Sequence, residues 1–178
     1  SGAEVTPSAV MINYDTKKKG GINGRNVFPR IAVIDPELGL NVPRNVLGAT
    51  ALDALVHSIE GFTSRCATPL SALFSREAAH IIIPALKTLS DNDQSLDAIE
   101  QLAYGALLAI NGLMHSEAGV SGAASYPLGV YYDVPHGVGG GILLPRAIEF
   151  NMENGYSGYQ DLVPGATSSD EAGKALAT

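Results

Sequence analysis

The sequence predicts a mainly α-helical chain that opens with a short β segment. Two short β-branched runs stand before residue 40, Ala-Val-Met-Ile-Asn within 8–13 and Ile-Ala-Val-Ile-Asp at 31–35. Beyond them, long Ala- and Leu-rich stretches follow helix-start residues, and 46% of the 178 residues are hydrophobic, enough to build a core.

The two β-branched runs read as strands joined by a long, polar, glycine-rich loop over 15–26. Lys17, Lys18 and Lys19 fall in that loop and read as its solvated tip. A first helix is expected from Asn41 as N-cap, with Pro43 in its first turn, to about Phe62. A second covers about 69–89, bent at Pro84, and a third about 95–113. Glycines then become dense, at 119, 122, 129, 137, 139, 140 and 141, through an irregular segment around Tyr126-Pro-Leu-Gly. A last apolar helix is expected over about 138–150, and the tail 167–178 reads as a loop plus one frayed helix.

Composition excludes several functions. With 11 Lys and Arg against 18 Asp and Glu, the formal net charge is −7, and the single basic run offers no stripe for a nucleic-acid backbone. The charge-free stretch 101–116 is broken by Asn111, His115 and glycines, too soon for a membrane span. No basic leader precedes an apolar run at the start of the chain. One cysteine, Cys66, permits no internal disulfide, and a reducing cytoplasm is the expected setting.

Chemistry concentrates on few residues. Asp53, His57 and Glu60 recur at spacings of four and three, which puts them on one helix face, opposite the apolar stripe Leu47, Ala51, Leu55, Ile59, Phe62. A carboxylate and an imidazole at that spacing can chelate a divalent ion; the plain alternative is a solvated face. No lysine shares the face, and Thr50, Ala54 and Gly61 flank it, which favours the wall of a small polar pocket. His136 follows a proline at the start of an apolar helix, where the helix dipole keeps an imidazole neutral, as a metal ligand must be. A turn or capping role is its alternative. His80 reads as packing or helix surface. His115, after the third helix, reads as a ligand, a proton relay or neither. The run Gly137-Val-Gly-Gly-Gly reads either as a weak phosphate loop or as close helix packing.

Five pieces, in order, resemble the later part of the iron-containing alcohol dehydrogenase family, whose fold also includes glycerol dehydrogenase and dehydroquinate synthase. They are Gly-Ala-Glu-Val-Thr-Pro at 2–7, Asp35-Pro-Glu-Leu, Ala51-Leu-Asp-Ala-Leu-Val-His-Ser-Ile-Glu60, Ser125-Tyr-Pro-Leu-Gly129, and Pro135-His-Gly-Val followed by Leu-Leu-Pro at 143–145. The resemblance implies a helical C-terminal domain preceded by a short β remnant of the α/β cofactor domain: residues 1–40 as the last strands of a truncated nucleotide-binding domain, residues 41–178 as the helical metal-binding domain. It implies an NAD(P)-dependent alcohol dehydrogenase or aldehyde reductase acting on a small alcohol or aldehyde, with no nucleic-acid or membrane partner. An exposed interdomain surface would favour a homo-oligomer.

Residue by residue, the resemblance assigns Asp53, His57 and His136 to a divalent metal, Fe2+ first and Zn2+ second. The family's remaining histidine ligand falls on Gly122. Tyr126 stands where many relatives carry a second, non-ligating histidine, so Tyr126 or His115 is expected to relay the proton. Ser1, Gly2 and Thr6 match the stretch along the nicotinamide side of the cleft. The glycine-rich pyrophosphate turn of the family is not in the sequence, so this fragment alone is expected to be inactive. Two readings of Gly122 stay open. Three ligands can hold a catalytic metal that keeps an open position, with His115 or Glu117 moving in. Alternatively the metal is lost, and hydrogen bonds from His57, Tyr126 or His136 polarise the substrate carbonyl, as in a metal-independent reductase or a hydroxyacid-oxoacid transhydrogenase. A reading of another class is a non-catalytic helical module.

Overall fold

The structure, a computed structural model, describes residues 1–91 and 94–177. Its helices begin where local chemistry supplies a cap or a proline. Helix α1 (Arg44–Thr63) starts directly behind Pro43. Asn41, expected as its cap, instead closes a 3-10 turn, Pro36–Asn41, started by Asp35, whose carboxylate accepts from the Glu37 N–H at 3.0 Å. Helix α2 (Pro69–Ser90) opens on a reciprocal capping box between Thr68 and Ser71 and runs through Pro84 without ending. Helix α3 (Leu96–Met114) is capped by Ser95, which accepts from the Ala98 N–H.

The glycine-dense segment is more ordered than its composition suggests. It forms two short helices, α4 (Val120–Ala124) and α5 (Tyr126–Tyr132), before α6 (His136–Glu153), which starts two residues earlier than expected. A final helix, α7 (Ser169–Ala177), agrees with the frayed tail helix; Thr178, the end of that expected segment, lies outside the described residues.

The β segment differs from expectation. Strand β1 (Ser8–Asn13) is where it was expected, but its antiparallel partner is β2 (Lys18–Asn23), in register from Ser8 opposite Asn23 to Asn13 opposite Lys18. The supposed loop is therefore a hairpin strand, closed by a four-residue turn in which Lys17 takes φ 52°. Residues 31–35 are not a strand. Ile31 is 82% and Val33 83% exposed, and among the described residues no strand lies beside them to complete a ladder. β-branching favours extended backbone, but a strand needs hydrogen-bonding neighbours.

Helix α1 is the centre of the helical part. On one side Leu47, Ala51 and Ala54 join Ala78, Ile82, Ala85 and Leu89 of α2 and Ile99, Leu102, Leu108 and Ala109 of α3. On another, Val56 and Ile59 join Leu144 and Ile148 of α6, with Tyr159, Leu162 and Ala172 closing that cluster. The Asp53 face is also covered: Asp53 is 7% and Glu60 5% exposed. The solvated-face alternative for these residues is thereby overturned, because helices cover α1 on every side on which it carries chemistry.

The glycine run belongs to packing. Gly137, Gly139 and Gly140 are buried inside α6, and a side chain at Gly137 would run into the Ala49 carbonyl and lie 2.7 Å from the Asp53 Cβ. The missing Cβ is what lets α6 bring its first turn against α1. Gly137→Ala is expected to lower unfolding free energy by about 1–3 kcal/mol, the usual cost of overpacking a close contact. Urea denaturation checks this, and an unchanged midpoint would show that the two helices can part without cost.

Candidate metal centre

Two elements converge on one point. Asp53 and His57 stand one turn apart on α1, and His136 opens α6, delivered there by the close approach at Gly137. His57 Nε2 lies 3.7 Å from Asp53 Oδ2, and His136 Nε2 lies 3.8 Å from Asp53 Oδ1. These are too long for hydrogen bonds. They are, however, the separations of atoms that share an ion at bonds of about 2.0–2.2 Å. One ligand atom from each of the three residues lies within 4.8 Å of the other two.

The hydrogen bonds around His136 define its tautomer. The Ser125 hydroxyl donates its single proton to the Gly122 carbonyl at 2.7 Å, so its oxygen accepts from His136 Nδ1–H at 2.8 Å. Nε2 then presents a lone pair toward Asp53. A bare lone pair facing a carboxylate is repulsive, whereas the same pair with a cation between them is the ordinary arrangement of a ligand oriented by an outer partner. The donor set, one carboxylate and two imidazoles, suits Fe2+ or Zn2+. The residues fit a divalent ion.

Burial sets the protonation states. It pushes the His57 imidazole below its ordinary value, against the Asp53 and Glu60 carboxylates that pull it up. Burial likewise lowers His136, with Asp53 opposing and the Lys19 ammonium adding to the effect. Both rings are therefore held neutral, ready to ligate.

Two contributors went unnoticed in the sequence. Lys19 of β2 is half-buried, with its Nζ 4.0 Å from the centre of the Tyr126 ring, and burial lowers its pKa against the pull of Asp53. Its expected place on a solvated tip is corrected by the hairpin, which turns Lys19 toward the helices; nothing in a run of three lysines distinguishes it. Ser125 was visible only as part of a matching motif. Its role appears once α4 and α5 meet at that residue and face the first turn of α6.

The remaining expected residues separate. Tyr126 comes to the group, its ring edge-on to His136 at 5.5 Å. His115 ends α3 in an exposed position with Nδ1 2.8 Å from the Asn111 carbonyl, outside the ligand group. Glu117 is exposed, and its carboxylate raises the pKa of the exposed Cys66 thiol. His80 contacts the Asp161 carbonyl at 2.9 Å, a packing role. Gly2, at φ 87°, abuts Ile110 and the Ala106 carbonyl, and the Thr6 hydroxyl is shared between the Ala3 and Ser8 carbonyls. Ser1 lines a cavity of about 180 Å³ with Thr50 and Ala106. A larger cavity of about 560 Å³, between α1, α4 and α6, has Glu60 on its wall and contains none of the three ligand residues. Among the described residues no helix is long and apolar enough to cross a membrane.

Residues 48–175 match the family described as Fe-containing alcohol dehydrogenase, C-terminal. The chain is 30% identical over 184 residues to 1,3-propanediol dehydrogenase of Klebsiella pneumoniae, covering 99% of this chain and 48% of that protein. It is 32% identical over 162 residues to lactaldehyde reductase of Escherichia coli K12, covering 91% of this chain and 42% of that protein. Among solved structures, sulfoacetaldehyde reductase from Bifidobacterium kashiwanohense, in complex with NAD+, superposes with a TM-score of 0.87 at 27% identity, over 99% of this chain and 47% of that one. The chain belongs to the Fe-containing alcohol dehydrogenase family. It spans about half the length of the relatives it matches.

Two outcomes follow from the geometry. Ser125→Ala removes the partner of His136 Nδ1, and metal affinity is expected to fall about 10–100-fold, as is usual when a ligand's outer partner is lost; competition titration with a chromophoric chelator reads it. The lowered imidazole pKa values also bear on stability. Below the ordinary imidazole pKa of 6.5 the unfolded chain takes up protons that the folded chain refuses, so stability falls with acidification and is fully present above that pH. The melting temperature of the metal-free protein should be level above about pH 7 and drop below about pH 6, with His57→Gln flattening the drop. A wild-type profile level down to about pH 5 would contradict the burial of neutral imidazoles.

Proposed function

We propose that this chain is the metal-binding half of an NAD(P)-dependent alcohol dehydrogenase or aldehyde reductase acting on a small alcohol or aldehyde. The observation that carries the reading is the grouping of Asp53, His57 and His136 within 4.8 Å, supported by membership of the family. NAD(P) as the hydride partner is drawn from the relatives, one of which was solved with NAD+. Residues 1–40 then belong to the closing part of the cofactor domain and residues 41–178 to the helical one. Ser1, Gly2 and Thr6 would face the nicotinamide side. A cytoplasmic setting suits the lone, exposed Cys66.

Asp53, His57 and His136 would hold the ion, Fe2+ in the first place and Zn2+ as its competitor. When bound, such an ion supplies Lewis acidity toward the oxygen of an alcohol or carbonyl. Asp53 contributes the negative charge that retains a cation, and the two neutral imidazoles contribute lone pairs without adding charge. Ser125 holds the proton of His136 on Nδ1, away from the ion. The Tyr126 phenol, edge-on to His136 with Lys19 over its ring, is the group we assign to proton transfer, on the ground of its place beside His136. The exposed position of His115 makes it the weaker relay.

One observation favours a second reading, a site that works without metal: position 122 carries no side chain where the family resemblance places a ligand. Metal content decides between them. Elemental analysis of the purified protein is expected to find close to one Fe or Zn per chain, and added ion at a hundred times its Kd should stabilise the fold by about 2.7 kcal/mol. A metal-free protein whose melting temperature ignores Fe2+ and Zn2+ would leave the metal-independent reading.

A further inference from the structure

Glu60 is unused by the site so far described. It lies three residues beyond His57 on the same face of α1 and is 5% exposed. Its Oε1 accepts from the Ser121 hydroxyl and from the Gly122 N–H at 3.0 Å, which ties α1 to the first turn of α4. Its Oε2 is buried and, among the described residues, has no hydrogen-bond partner. The carboxylate sits between two glycines: a Cβ at Gly119 would stand 2.7 Å from Oε1, and one at Gly122 would stand 3.0 Å from Oε2. The free oxygen therefore faces the space that a side chain at 122 would fill. A buried anion with an idle oxygen is costly unless a donor or cation answers it. The same carboxylate acts electrostatically on both His57 and His136.

We propose that Glu60 Oε2 serves the coordination position that Gly122 leaves without a side chain, reaching the ion held by Asp53, His57 and His136 through one water. A water is required because Glu60 is not among the residues whose ligand atoms cluster within 4.8 Å. The glycine at 122 makes room for that water, and Oε2 supplies the acceptor that orients it. Glu60 is thus a positioning residue with two oxygens in two roles: Oε1 holds α4, and Oε2 holds the water. The inference rests on the metal reading above.

Glu60→Gln separates the two roles. The amide keeps an oxygen to accept from Ser121 and Gly122, but its NH2 cannot accept from a water on the ion. The readouts are the metal-free melting temperature, the affinities for Zn2+ and Co2+ by chelator competition, and the visible absorption of the Co2+ protein. The expected result is a nearly unchanged metal-free melting temperature, affinity about 10–100-fold weaker, and an altered Co2+ spectrum. Gly122→Ala alters no charge but puts a methyl in the water's space, and should weaken binding in the same direction; it decides the matter alone if Glu60→Gln fails to fold. Folded variants with wild-type affinity and spectrum overturn the proposal and leave Glu60 as a helix tie only. Wild-type protein that binds neither ion sinks the metal reading itself, and this inference with it, a result distinct from binding that ignores position 60.

Discussion

A carboxylate largely taken out of water must be answered by positive charge or by hydrogen bonds, and Asp53 faces two imidazoles beyond hydrogen-bond length, with the Lys19 ammonium near enough to feel its charge. Asp53 is 7% exposed, imidazole nitrogens lie 3.7 and 3.8 Å from its oxygens, and burial holds both imidazoles toward the neutral form. Much of the fold maintains this arrangement. The glycine after His136 brings α6 against α1, the Ser125 hydroxyl turns the His136 ring, and β2 sends Lys19 in from outside the helical part. Under the metal reading proposed above, a cation between the three side chains would account for the close approach of α6 and for the orientation of His136, while Lys19 stays outside the ligand group, over the Tyr126 ring.

Helix α1 can hold two acidic residues in the interior because the remainder of its surface is apolar and enclosed. Its Leu47, Ala51 and Ala54 side anchors α2 and α3, while Val56 and Ile59 anchor α6 and the tail. Polar residues in such a helix cannot move to solvent without dismantling two clusters, so their rotamers are confined. Rigid support of this kind is what a ligand set needs, since an ion tolerates little displacement of its donors. The described half-length chain thus has an apolar interior of its own around the proposed site.

Position 122, where the resemblance would place a ligand, is held by the backbone alone. The glycine there is not slack backbone: its N–H and its carbonyl are both engaged, one by Glu60 and the other by Ser125. With the Ser125–His136 contact they make a chain of three hydrogen bonds that runs from the α1 carboxylate through Gly122 and Ser125 to the α6 imidazole. The glycine thus stands within a hydrogen-bonded bridge between the elements that carry Glu60 and His136.

Most of the helical architecture was legible in the sequence, because caps and prolines act within a turn of where they stand: Thr68 with Ser71, and Ser95 with Ala98, start helices by local hydrogen bonds. The Asp53 and His57 pair was legible for the same reason, since an i, i+4 spacing fixes a shared face before any packing occurs. Pairing in the β segment was not. Residues 31–35 have the composition of a strand but no neighbour among the described residues, whereas 18–23, poor in β-branched residues, pair because a turn at 14–17 returns them to β1. The sequence by itself therefore determined the family, the longer helices and the candidate ligands, but not the short helices α4 and α5. Only the tertiary structure decided that Asp53 and Glu60 are buried, that Ser125 holds His136, and that Lys19 lies over Tyr126, because each depends on contacts between residues far apart in the chain.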